Sequence, residues 1–180
     1  SYELESGITP KMLLNVLVRG EEATRSIVLV EGWNIRQVRA ALAKAEQLKP
    51  ETVGLPDDAL MAKLGRPGVH PEGRFFPDTY TYSKGSTDIA LLQRAMRAMD
   101  KKLEAAWAAR AADLPLQSAD QALILASIVE KETGKAKDRA EIAAVFVNRL
   151  RAGMPLQTDP TVIYGLGTAF DGNLRKKDLL

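Results

Sequence analysis

Two glutamates near the end of one segment, Ser118–Thr133, are the residues best placed to do chemistry. Ser118 followed three residues later by Gln121 is a capping box, which sets the phase of the helix after it. At about 100° per residue, Ala122, Leu125, Ile128 and Val129 share one face. Glu132 lies about 20° from Leu125 on that wheel, Glu130 falls toward the flank, and Lys131 points nearly opposite. A carboxylate continuing an apolar stripe at a helix C-terminus is opposed in its ionised form by burial and by the helix dipole. Such a group suits general-acid work near neutrality. The plainer reading ends the stripe at Val129 and leaves Glu132 as a solvated last-turn residue.

Two further segments carry candidate groups. In Leu156–Gly165, the short hydrogen-bonding side chains Gln157, Thr158 and Asp159 precede Pro160, which fits the first turn of a new helix. They are read either as an N-cap, through Thr158 or Asp159, or as ligands of a polar substrate. Pro71–Tyr80 is a turn thick with aromatics and carries Glu72, composition suited to sugar binding or to packing on a core. His70, the single histidine, reads as a surface residue of a Pro/Gly loop. Gly165 and Gly167 follow no strand and fail as a nucleotide loop.

The elements that position these groups follow from pattern. A short strand is expected over Tyr2–Glu5. Thr9-Pro10 starts a helix with Met12, Leu13, Val16 and Leu17 inward, ending at Gly20. Arg25–Val30 is rich in β-branched residues and Thr79–Tyr82 alternates, so both read as strands. Between them lie a helix capped by Asn34, carrying Ile35, Val38, Ala41 and Leu42, and a short one opened by Pro56. Helical periodicity then runs over Asp88–Ala112, Ser118–Thr133 and Lys137–Ala152. The reading is α+β: a small βααβ module over residues 1–84, with its two strands paired, then a mainly helical module over 85–180.

Composition narrows the chemistry. The chain has 180 residues, 46% hydrophobic and 27% charged, enough for one domain or two small ones. Twenty-five basic against 23 acidic residues leave a net charge of +2, without the basic excess of a nucleic-acid binder. No cysteine excludes disulfides, thiolate metal sites and a cysteine nucleophile, and one histidine argues against a histidine-rich metal site or a Ser-His-Asp triad. Carboxylates, hydroxyls and lysines remain. No apolar run approaches the ~18 residues of a membrane span, and the N-terminus shows no signal-peptide pattern.

With these residues in place, the chain resembles a known family. Ala126–Thr133, Leu156–Gly165 and Glu72–Tyr80, together with Ser1–Pro10 and Val30–Asn34, are similar to the signature stretches of the YceG-like proteins, endolytic murein transglycosylases of bacteria. The resemblance implies a LysM-like first module and a catalytic second one. It implies Glu132 as the catalytic residue, from the Glu-Thr pair at 132–133, and substrate contacts from Gln157, Thr158, Asp159, Tyr164 and Glu72. It implies cleavage of the β-1,4 bond between N-acetylmuramic acid and N-acetylglucosamine inside peptidoglycan strands, giving 1,6-anhydro ends without metal or organic cofactor. It also implies a single N-terminal anchor in the bacterial inner membrane with this region on the periplasmic side, and contact with cell-wall synthases. Family members continue with a Tyr-Asn motif and a Gly-Leu-Pro-Pro-Gly segment, so residues 85–180 are expected to be the N-terminal part of the catalytic module.

Two rivals stand beside this expectation. Members of the family have carried the label aminodeoxychorismate lyase, a pyridoxal-phosphate activity, but no lysine here has a recognisable cofactor setting. The other rival is a module that binds glycan or protein without catalysis.

Overall fold

A computed structural model of the chain describes residues 6–19 and 24–179. The strand expected at Tyr2–Glu5 lies outside the described residues. Helix α1 (Pro10–Arg19) starts as expected, with Pro10 at its first position and Thr9 Oγ1 accepting from the Met12 amide at 3.3 Å. Its inward face does not follow the expectation at Met12, which is 54% exposed. No described residue of α1 joins a buried cluster, so this apolar side chain finds no covering surface. The side chains of Val16 and Leu17 lie outside the described residues.

Strands β1 (Thr24–Val28) and β2 (Thr79–Ser83) pair antiparallel, with Ile27 opposite Tyr80 and Val28 opposite Thr79. Between them come α2 (Ile35–Lys44) and α3 (Asp57–Lys63), completing the βααβ order expected from sequence. Period-2 alternation does its work in β2. Tyr80 and Tyr82 turn inward, and their hydroxyls donate to the carbonyls of Phe76 (2.7 Å) and Glu46 (3.0 Å). Helix α2 opens on a full capping box: Asn34 Oδ1 accepts from the Gln37 amide, and Gln37 Oε1 accepts from the Asn34 amide. Helix α3 closes where Gly65 takes φ +82° and Arg66 N donates to the Met61 carbonyl at 2.8 Å, a Schellman-type stop.

Two compact units divide between Asp100 and Lys101, within the long helix α4 (Asp88–Ala108). Ile89, Leu91, Leu92, Ala95 and Met96 of α4 pack with Leu29, Leu42, Leu60 and Met61 in the core of the first unit. Each of the leucine, isoleucine and methionine side chains contributes roughly 1.5–3 kcal/mol by leaving water. Asp88 is 1% exposed, and its carboxylate accepts the amides of Glu51, Thr52 and Ile89 and the Thr52 hydroxyl. It thereby ties the 51–52 loop to the positive end of α4. Helix α4 stops four residues before the expected Ala112. There the Arg110 guanidinium donates to the Trp107 carbonyl at 2.8 Å and lies over the Trp107 ring, turning the chain out of the helix.

The second unit holds α5 (Ala119–Glu132), a 3-10 turn at 136–138, α6 (Arg139–Arg151) and α7 (Asp159–Leu166). Leu125, Ile128 and Val129 of α5 pack with Phe146 of α6, and Leu116, Ile142, Leu150 and Leu156 close around them. Among the described residues no helix is long and apolar enough to cross a membrane.

Candidate active site

Three chain segments meet at the C-terminal end of α5. Ser118 Oγ accepts from the Gln121 amide at 3.2 Å, which confirms the helix phase. The return arm of the box differs from expectation: Gln121 Oε1 takes the amide of Gln117 rather than that of Ser118. Leu125, Ile128 and Val129 are buried as the phase requires. Glu132 is not. It is exposed, so the apolar stripe ends at Val129. The helix stops there: Thr133 is already extended (φ −146°, ψ 136°), so no further turn of α5 covers the Glu132 side.

What Glu132 has instead is a dedicated donor. The hydroxyl of Thr158, 26 residues away in sequence, donates to Glu132 Oε1. Thr158 is 5% exposed, one of few buried polar residues among the described ones, and its hydroxyl is directed to this partner. Among the described residues Oε2 of Glu132 accepts no hydrogen bond. One carboxyl oxygen is held and the other is available, which suits a group that passes a proton to and from a substrate.

The plain N-cap reading of Thr158 holds for position and fails for the side chain. Thr158 is the N-cap residue of α7, yet its hydroxyl makes no capping bond. Pro160 in the first turn has no amide, and the Thr161 amide bonds the Thr158 carbonyl at 3.2 Å. With its usual amide partners missing or taken, the hydroxyl is free to serve Glu132.

Glu130 has a different fate. Its carboxylate pairs with Arg139 at 3.1 Å, at the start of α6. The remaining sequence candidates disperse. Gln157, at φ +50°, turns its side-chain oxygen to Arg149 Nη1 at 3.4 Å. Asp159 lies exposed in the first turn of α7, and Tyr164 is 54% exposed on the same helix. Glu72 belongs to the first unit, where its Oε1 accepts from the Ile35 amide at 2.9 Å at the start of α2. In the same segment Phe75 and, at the start of β2, Tyr80 are buried in the first core, so packing takes these aromatics. His70 is exposed, its Nδ1 accepting from the Glu72 amide.

Arg149 was not singled out by sequence, yet it holds the segment leading to Thr158. Its Nη1 donates to the carbonyls of Leu156 (2.6 Å) and Pro155 (3.2 Å). Nothing in residue spacing signals such a bond from a helix to its own following loop. An open cleft of about 310 Å³, lined by Leu116, Gln121, Ile124, Leu150 and Leu156, lies elsewhere in the second unit and does not include Glu132. Among the described residues no three acidic or histidine side chains gather in a way that holds a metal ion.

The sequence and the fold both have known relatives. The profile of the YceG-like family matches residues 1–180. An endolytic murein transglycosylase of Bacillus subtilis is 30% identical over 97% of this chain and 53% of its own length. One of Streptococcus pneumoniae is 38% identical over 92% of this chain and 35% of its own. The chain thus spans about half or less of these relatives. A crystal structure of a yceG-like protein from Listeria monocytogenes has the same fold, with TM-score 0.64 and 24% identity over 98% of this chain and 64% of that one.

Proposed function

Because the chain belongs to the YceG-like family, we propose that it carries the general acid–base residue of an endolytic peptidoglycan lytic transglycosylase, and that this residue is Glu132. The observation that carries the reading is the Thr158 hydroxyl on Glu132, which joins two distant segments at one exposed carboxyl group. The names of the Bacillus and Streptococcus relatives supply the reaction class.

Glu132, protonated, gives its proton to the oxygen of the β-1,4 bond between N-acetylmuramic acid and N-acetylglucosamine. That bond breaks, and the glucosamine side leaves as an alcohol. The Glu132 carboxylate then takes the proton from the muramoyl 6-hydroxyl as O6 bonds to the anomeric carbon, closing the 1,6-anhydro ring. The nucleophile is part of the substrate, so proximity replaces the second carboxylate of a glycoside hydrolase. Thr158 holds one carboxyl oxygen throughout and leaves Oε2 to face the sugar. Exposure of Glu132 suits a polymer that must be gripped along its length rather than swallowed.

In this reading residues 1–84 form a LysM-like module that holds glycan, and residues 85–180 begin the catalytic module. Gln157, Asp159 and Tyr164 are further candidate contacts of the catalytic module with the strand, and Glu72 is one of the first module. The site works outside the cytoplasmic membrane, on the periplasmic side of an anchor in the full-length protein, where cell-wall synthases are the expected partners. The test is digestion of purified sacculi by the full-length protein, with mass spectrometry of the products. Internal cleavage with 1,6-anhydro-muramoyl ends is the expected result; reducing muramoyl ends would show hydrolysis, and absence of new ends a binding module.

A further inference from the structure

Arg149 stands on the last turn of α6, and among the described residues no carboxylate pairs with it. Its guanidinium is spent on three oxygens of the next eight residues. Nη1 reaches the carbonyls of Leu156 and Pro155 and the side-chain oxygen of Gln157. From this geometry we propose that Arg149 is the positioning residue of the Glu132–Thr158 pair, acting on the reaction without touching glycan. The inference rests on the transglycosylase reading of that pair.

The segment from α6 to Thr158 is fixed in succession. Gly153 (φ +65°) closes the helix, donating to the Leu150 carbonyl at 3.1 Å, while Met154 donates to the carbonyl of Arg149 itself at 2.9 Å. Leu156 packs against the α5–α6 core. The next residue, Gln157, holds a left-handed backbone (φ +50°), which a non-glycine residue adopts only under constraint. The constraint here is Arg149, whose one nitrogen gathers the carbonyls of 155 and 156 and the side chain of 157. Without that cation the converging oxygens repel each other, and Gln157 is free to return to negative φ. Such a rotation one residue before Thr158 swings its hydroxyl off Oε1 of Glu132. A hydrogen bond tolerates only a few tenths of an ångström, and displacement of a reacting group by about 1 Å can cost about 100-fold in rate.

The experiment uses the full-length protein with Arg149→Met, Arg149→Lys, Thr158→Val and the Met/Val double variant. Release of 1,6-anhydro ends from sacculi gives kcat and KM. Arg149→Met is expected to lower kcat about 10- to 100-fold with KM unchanged. Arg149→Lys should recover most of it, because an ammonium can also donate to clustered carbonyls. The double variant should be no slower than Thr158→Val alone, since Arg149 acts only through that hydroxyl. Independent, multiplying losses overturn the proposal, as does a raised KM, which would put Arg149 on the glycan. If Arg149→Met does not fold, Arg149→Gln, shorter and uncharged, alone and in the Thr158→Val background carries the same comparison. A second readout needs no activity: the NMR methyl resonance of Thr158 should shift in Arg149→Met and return in Arg149→Lys. An unmoved resonance overturns the positioning role. A wild-type protein that releases no anhydro ends removes the transglycosylase reading, and the resonance still decides what Arg149 does.

Discussion

The Glu130 carboxylate lies 3.1 Å from the guanidinium of Arg139, an ion pair that ties the end of α5 to the beginning of α6. Two residues on, Glu132 faces Thr158 instead. Two positions on a helix diverge by about 200°, so the two carboxylates serve different neighbours and cannot both address one bond.

Glu132→Gln is therefore expected to reduce anhydro-muropeptide release by about 10²- to 10⁴-fold, the range of a lost general acid–base group. Glycan binding should be retained, because the change preserves volume. Glu130→Gln should cost about 0.2–1 kcal/mol of stability, as partly exposed ion pairs do, with little loss of rate. Turnover of sacculi by both variants in the full-length protein decides. A dead Glu130 variant beside an active Glu132 variant would exchange the roles.

Thr158→Val keeps the shape of a buried side chain and removes its hydroxyl. Loss of a hydrogen bond to a charged partner is worth about 1.5–3 kcal/mol. If that interaction is felt mainly in the rate, kcat should fall about 10- to 150-fold, while the thermal midpoint moves little. A destabilised protein with normal kcat would mean that Thr158 serves the fold alone.

Asp88→Asn replaces an acceptor oxygen by an amide nitrogen among three backbone amides and a hydroxyl, all of them donors. At least one donor is left buried and facing another, at a cost of about 1–3 kcal/mol, and the charge at the start of α4 is lost as well. Urea denaturation should show the lower midpoint. An unchanged midpoint would mean that the carboxylate is dispensable there.

Tyr80 offers a pH handle. Burial first, and the nearby Asp78 carboxylate second, push its phenol above the usual value of 10.0, with Arg94 opposing them. The folded state thus holds this proton more tightly than the unfolded chain. The associated stability is complete below pH 10.0 and is lost as pH rises through the higher folded value. Alkaline absorbance titration at 295 nm should show a late-ionising tyrosine that disappears in Tyr80→Phe. Persistence of the late step in that variant would assign it to another tyrosine.

Much of this architecture is legible in sequence because local rules decide it. The β-branched run at 25–30 and the alternation at 79–82 find each other, and Asn34, Thr9 and Ser118 cap the helices that follow them. The candidate site is legible only in part. Helix phase gives the direction of Glu132 but not whether anything covers that direction, and α5 ends before anything does. The meeting of Thr158 with Glu132 depends on a loop return that no local pattern encodes. Arg149 does its work through carbonyls, which leave no mark in a sequence.

The left-handed backbone at Gln157 makes this position a filter on amino-acid replacement. Glycine enters that conformation without steric cost and asparagine with little, whereas valine, isoleucine and threonine are strongly disfavoured and proline is barred by its ring. In a saturation library at codon 157 selected for lytic activity, survivors should sort by backbone tolerance before side-chain chemistry. Glycine and asparagine should outrank glutamate, although glutamate is nearer to glutamine in size. A library ordered by polarity instead would show that the side chain, not the dihedral angle, is what this turn requires.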